Sequence, residues 1–312
     1  MGRVRLAVAC VLCAAGIAAA DPPRGVRAPR PRPTHVLLAD SVVEITPSLK
    51  AQVAAGTPVV VAGGLGPFPG RVAVKTLGDV ELSGKLDGSA LGLVVARDVE
   101  VTTADGRESL GRAAAGSWVK LAAPRPVGGQ LLVDAVGPLK ARMRIAADAL
   151  GGEPRELVVP NAGRQILTGM PADLFSTPEA KGVRAQIAEL TPVWLVDEAP
   201  DKPVARVRTF GGIAIEGWVL KTKLSPGTSP LPAPVPSRET PTHEVLTGAD
   251  LVADPRGGKP VAHLRGGALV SAADGQEKAS LVRVRTRWPV VLEGYVRQGD
   301  IRPVEASVWS DP

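Results

Sequence analysis

Cysteine is nearly absent from this chain. Its 312 residues include only Cys10 and Cys13, and both lie in the apolar run Leu6–Ala20. Arg3 and Arg5 precede that run, and Ala18-Ala19-Ala20 followed by Asp21 closes it. This is the three-part pattern of a secretory signal peptide, predicted over residues 1–20. The run is 15 residues long, short of the roughly 20 that span a bilayer. The expectation is an exported chain, periplasmic or extracellular. After removal of 1–20 it has no disulfide, no thiol nucleophile and no thiolate metal site. The alternative is a lipoprotein acylated at one of the two cysteines. Leu12 is bulky for the position before Cys13, and a cut before Cys10 leaves only Leu6–Ala9 as the apolar core.

Histidine is scarce as well: His35, His243 and His263 are the full set. None stands in an HExxH pattern or beside paired metal-ligand residues, so no metal site and no cofactor are expected. The chain has no GxSxG elbow before a helix, no P-loop and no GxGxxG after a strand. No catalytic residues are assigned, and the chain is read as not an enzyme. A carboxylate pair needs no motif, so a wall-polymer hydrolase stays as the alternative. Past residue 20 no apolar run is long enough for an integral span. Charge of one sign is also missing from the body. The formal charge is +6, with two charges on Arg3 and Arg5 and a net three on 21–34 (DPPRGVRAPRPRPT), so the remainder is near +1. A nucleic-acid binder presents a basic face on its folded body, and nothing in this charge balance requires one, so no nucleic-acid partner is expected. Residues 21–35 read as a disordered Pro/Arg-rich spacer.

Turn residues, by contrast, are plentiful. Glycine and proline number 35 and 30, between short Val, Leu and Ile runs, while aromatics are 3%. Many short strands follow from this. An internal repeat organises them. Ala172–Pro226 aligns without a gap on Ala249–Pro303 at an offset of 77, with 15 of 55 positions identical. Arg206-Val207-Arg208-Thr209 returns as Arg283-Val284-Arg285-Thr286, and Glu216-Gly217-Trp218-Val219 as Glu293-Gly294-Tyr295-Val296. The same spacing fits the N-terminal half around Thr76 and Ala135, each preceded 19 or 20 residues earlier by Gly56-Thr57-Pro58-Val59 or Gly116-Ser117-Trp118-Val119. Four modules result: 36–94, 95–152, 165–226 and 243–304. A Pro-rich linker at 227–242 joins the last two, and 305–312 is a tail carrying Trp309. The first two modules nearly abut across Gly92–Val95 and form a fixed pair. The linker is expected to hold the last two apart and let them reorient.

The Ala-x-Leu opening (Ala172-x-Leu174, Ala249-x-Leu251), the following Pro178 and Pro255, the Val-x-Val run and the Gly-Trp-Val or Gly-Tyr-Val strand resemble the bacterial SH3-like (SH3b) domain family. That resemblance implies tandem small β-barrels in an all-β chain. It further implies non-catalytic recognition of peptidoglycan or an envelope protein segment; a monomer is expected. Tyr295 stands where the family has Trp, and Lys85 and Arg144 take that place in modules 1 and 2.

The candidate ligand contacts are Trp218, Tyr295, Trp194, Trp288, Arg206, Arg208, Arg283 and Arg285. The aromatics either stack on a sugar or peptide or fill the barrel core or its rim. The arginines either grip ligand carboxylates or form a solvated strand face paired with Glu216 and Glu293. Trp118 is expected to pack. A purely structural spacer is the remaining alternative.

Overall fold

Alternation builds the strands. Along Ile213–Leu220, Ile213, Ile215, Gly217 and Val219 are buried while Ala214, Glu216, Trp218 and Leu220 are half-buried on the other face. Period two is what a pleated strand with one face on a core requires. The computed structural model describes residues 31–155, 164–198, 200–209, 211–225, 241–278, 280–287 and 289–304. The segment predicted as a signal peptide, nearly all of the predicted linker, the predicted tail, Trp288 and Trp309 lie outside the described residues, as does the predicted 21–35 spacer up to residue 30. The chain is all-β and antiparallel, with 56% of residues in strands.

Module 1 comprises β1 (His35–Leu37), β2 (Ser41–Thr46), β3 (Leu49–Val53), β4 (Pro58–Val61), β5 (Arg71–Thr76), β6 (Val80–Asp87) and β7 (Leu91–Val95). β1 pairs with β4 and β7, β2 with β3 and β6, and β5 with β4 and β6. The same set of pairings recurs from Leu91–Val95 to Leu150–Gly151. It recurs from Arg164–Thr168 to Leu224–Ser225. It recurs again from His243–Val245 to Ile301–Pro303. In each case a single 3-10 turn precedes the closing strand. The connection of modules 1 and 2 differs from the expectation. Gly92–Val95 is no linker; β7 closes module 1 and opens module 2, pairing with β1 on one side and with Trp118–Leu121 and Leu150–Gly151 on the other.

The landmarks of the repeat have physical causes. Thr76, Thr209 and Thr286 are buried, and each hydroxyl donates to the carbonyl four residues on, in Val80, Ile213 and Val290. Each also accepts the backbone N–H six residues on, from Leu82, Ile215 and Leu292. The hydroxyl thus satisfies the backbone of a tight hairpin inside the core. Gly84, Gly217 and Gly294 sit where β6 or its counterpart crosses β2 or its counterpart. A Cβ there would come within 2.5 to 2.7 Å of Val43, Leu174 or Leu251. In module 2 the buried Met143 occupies that place, where it pairs with Thr103.

The modules are clasped in two reciprocal pairs. The hairpin end Val80–Leu82 of module 1 pairs with Ala262–Leu264 of module 4, while Val290-Val291 of module 4 pairs with Gln52-Val53 of module 1. Modules 2 and 3 repeat the exchange. Leu139-Lys140 pairs with Gln186-Ile187, and Ile213–Ile215 pairs with Gly111–Ala113. One further amide extends each arm: Ala54 to Pro289 (2.8 Å), Arg265 to Asp79 (2.9 Å), Ala114 to Gly212 (2.8 Å) and Ala188 to Pro138 (2.9 Å). Each partner covers the other's open edge, which would otherwise expose unpaired backbone groups. The apolar cores follow the same division. One holds residues of modules 1 and 4, among them Leu37, Leu82, Leu251 and Leu264. The other holds residues of modules 2 and 3, among them Leu93, Met143, Leu174 and Ile187. This corrects the expected freedom of the last two modules. Each is strand-paired to an N-terminal module, and modules 1 and 2 share β7, which restrains reorientation across the linker.

Candidate functional site

Module 3 gathers four of the predicted contact residues on its outer face. Ladder-opposed residues share a face. One cross-strand row is Trp194, Arg208 and Glu216, and the next is Arg206, Trp218 and Phe175. Trp194 and Trp218 are half-buried, and neither belongs to the apolar core shared by modules 2 and 3. The arginines are engaged. Arg206 donates to Glu216 Oε2 at 2.8 Å and Arg208 Nε donates to Glu216 Oε1 at 2.7 Å. Module 4 carries a thinner version. Tyr295 is half-buried between Arg283 and Val252, Arg283 donates to Glu293 Oε2 at 2.6 Å, and Arg285 lies opposite Glu293 in the ladder. Glu293 raises the pKa of the Arg283 guanidinium by hydrogen bond and charge. Ser271 stands beside Arg285 where module 3 has Trp194 beside Arg208. The predicted Trp288 lies outside the described residues. Trp118 packs, with its ring 3.2 Å from where a Gly56 Cβ would stand.

Phe175 carries the aromatic face of module 3 into a cleft of about 500 Å³ at its clasp with module 2. Its floor is apolar: Ala172, Phe175, Ile187, Ala188 and Leu220. Its rim carries both signs, with Lys140 and Lys223 against Asp173 and Glu189. Lys140 comes from module 2 and sits opposite Gln186 in the clasp. Gln186 Nε2 donates to Asp173 Oδ1 at 3.0 Å, which fixes one wall. A mostly apolar cleft with a few polar groups converging on it is the usual form of a ligand site.

The other clasp carries a cluster of ion pairs at the same place. Each residue of the module 3 cleft has its counterpart 77 positions on. Gln186 becomes His263, Ala188 becomes Arg265, Phe175 becomes Val252 and Leu220 becomes Arg297. Arg265 reaches across the clasp and its Nε donates to Glu81 Oε1 at 2.9 Å, while Lys75 pairs with Glu81 Oε2 at 2.9 Å. His263 Nδ1 lies 3.0 Å from Asp250 Oδ1. Burial opposes ionisation of Glu81, but its hydrogen bonds to Lys75 and Arg265 outweigh that and hold the carboxyl below the usual range.

Lys140, Asp173, Phe175, Glu189, Leu220 and Lys223 were not among the residues predicted from sequence. The exchange of Arg265 for Ala188 is visible in the repeat alignment. That Lys140 stands across from it is not, because it depends on which modules pair. Among the described residues no group of three His, Asp or Glu is placed to hold a metal ion, and no helix is long and apolar enough to cross a membrane. No family model, curated protein or solved structure matches the chain.

Proposed function

We propose that this chain is a non-catalytic, exported binding or scaffolding protein of the bacterial cell envelope. Its SH3-like modules recognise peptidoglycan or a segment of an envelope protein. The observation that carries the reading is the cleft between modules 2 and 3. An apolar floor beneath two cations and two carboxylates fits a short chain bearing both charge signs, as wall peptides do. The export pattern and the SH3b resemblance supply the compartment and the ligand class. Trp218 and Trp194 extend the contact surface from Phe175, and the paired arginines take a supporting role.

The test grafts the seal of one clasp onto the other. In Lys140→Glu/Ala188→Arg the new pair reproduces Glu81 and Arg265, filling the cleft with an ion pair the fold already accommodates. Retention of the exported protein on washed cell-wall sacculi is expected to fall about tenfold, near 1.4 kcal/mol. Trp218→Ala with Tyr295→Ala is expected to weaken retention less. Unchanged retention of the grafted variant, with wild type retained, overturns the cleft as the site.

Asp173 and Glu189 share the cleft, which is the arrangement the hydrolase alternative would use. Release of soluble wall fragments by wild type, lost in Asp173→Asn and in Glu189→Gln, would establish that reading instead. A pure spacer gives no retention on any envelope fraction.

A further inference from the structure

A second cavity lies at the junction of modules 1 and 2, remote in sequence from the cleft described above. It encloses about 320 Å³. Its floor is the shared strand β7, through Leu91, Gly92 and Leu93, with Leu121 of the neighbouring strand. Its wall is the loop between β4 and β5, through Leu65, Pro67, Phe68 and Pro69. Ser89 and Lys120 stand at the mouth, and both are exposed.

The wall is built, not incidental. His35 is 1% exposed. A carbonyl only accepts, so His35 Nε2 carries the hydrogen bonded to Leu65 O at 3.0 Å, and Nδ1 accepts from the Thr34 hydroxyl at 2.9 Å. Burial lowers the His35 pKa, in keeping with this neutral tautomer. The Phe68 ring meets the imidazole edge-on, with centroids 5.4 Å apart. Phe68 also lies against Gly88, where a Cβ would come within 2.5 Å of Phe68 Cβ and its carbonyl oxygen. The counterparts of Gly88 at the other 3-10 turns are Ala147, Lys221 and Gln298, so only module 1 can seat an aromatic in this way.

Both imidazole nitrogens are engaged, which makes His35 a strut and leaves the polar contact to the mouth. There Lys120 has no carboxylate within 4 Å among the described residues. Asp134 lies opposite Lys120 in the ladder but is held by Arg142 at 2.7 Å, and Asp87, which also interacts with Lys120 through charge, already accepts the Ser89 N–H at 2.8 Å. We propose that this slot binds a small aromatic or apolar carboxylate. The apolar body inserts between Phe68 and β7, and the carboxylate meets Lys120. The volume is at the lower end of small-molecule sites, which fits a single ring or a short alkyl chain.

Methyl NMR of the full exported chain, titrated with 4-phenylbutyrate and with the neutral 4-phenylbutanol, tests it. Both probes are expected to shift the Leu91, Leu93 and Leu121 methyls saturably. Lys120→Gln, a surface change that leaves the fold intact, is expected to weaken the acid about fivefold and leave the alcohol unchanged. Phe68→Ala is expected to weaken both. No shift at those methyls up to ~10 mM acid, or equal effects of Lys120→Gln on both probes, overturns the proposal.

Discussion

The two clasped pairs use the same strands in the same register and end in opposite ways. In the pair of modules 1 and 4, Arg265 and Lys75 converge on Glu81 and His263 leans on Asp250, so the seam is filled with charge. In the pair of modules 2 and 3, Ala188, Gln186 and Lys140 leave the same seam open as a cleft. Backbone pairing holds the modules together in both. What the side chains at the seam do is free to vary, and in one copy that freedom leaves a cleft. A repeat therefore specifies architecture, while the departures from the repeat specify where a cleft opens.

The comparison is broken most severely at Gly111. It lies opposite Ile215 in the clasp, and a Cβ there would stand 2.1 Å from the Ala214 carbonyl oxygen. Pair 1 and 4 has the buried Ala51 at the matching position. Gly111→Val is expected to cost about 3 kcal/mol through overpacking against backbone. Denaturant melts would show that loss, with Leu174 and Ile187 methyl signals perturbed and Leu251 and Leu264 unchanged. Thr209→Val and Thr286→Val follow, one in each pair. Each leaves a core N–H unpaired and is expected to cost about 2 kcal/mol, with equal losses supporting equivalent hairpins.

Acid should separate the pairs. Glu81 has a folded pKa below its ordinary value of 4.5. Its ionised form is therefore favoured by folding, a contribution that is complete above pH 4.5 and is lost as pH falls through the folded value. Lys140 stands in its place in the other pair, opposite Gln186. Glu81→Gln is expected to cost about 1.5 kcal/mol at neutral pH and to flatten the acid limb of the signals of modules 1 and 4 only. The smallest change is a gain. The turn before β4 and its counterparts is taken by Gly56, Gly116 and Gly267, but by Leu190 in module 3, with φ of 58° and 66% exposure. Leu190→Gly relieves a left-handed backbone at little loss of burial and is expected to add about 1 kcal/mol, read as a higher melting midpoint.

Much of the architecture was legible in the sequence, because it rests on local signals. Alternation around Val207 and Val284 places their strands, and the spacing that recurs at Thr76, Ala135, Thr209 and Thr286 marks the repeat. The pairing of Glu216 with Arg206 and Arg208 followed from strand register alone. The clasp was not legible. It depends on edge strands far apart in sequence finding each other, and Val80–Leu82 reads as an ordinary hairpin end. The cleft was hidden for the same reason, since Lys140 and Phe175 become neighbours only once modules 2 and 3 are paired. Gly92–Val95 of the shared strand reads as a short linker because the strand's second set of partners lies downstream.

The central claim is that modules 1 and 4, and modules 2 and 3, are joined by reciprocal strand exchange. Native-state hydrogen exchange at the amides of Ala54, Arg265, Ala114 and Ala188 tests it most directly, since each of these donates across a clasp. All four are expected to exchange as slowly as core amides such as Ile215 and Leu292, opening only with global unfolding. Fast exchange at these four, with the cores still protected, would mean that the modules stand apart in solution and would contradict the account.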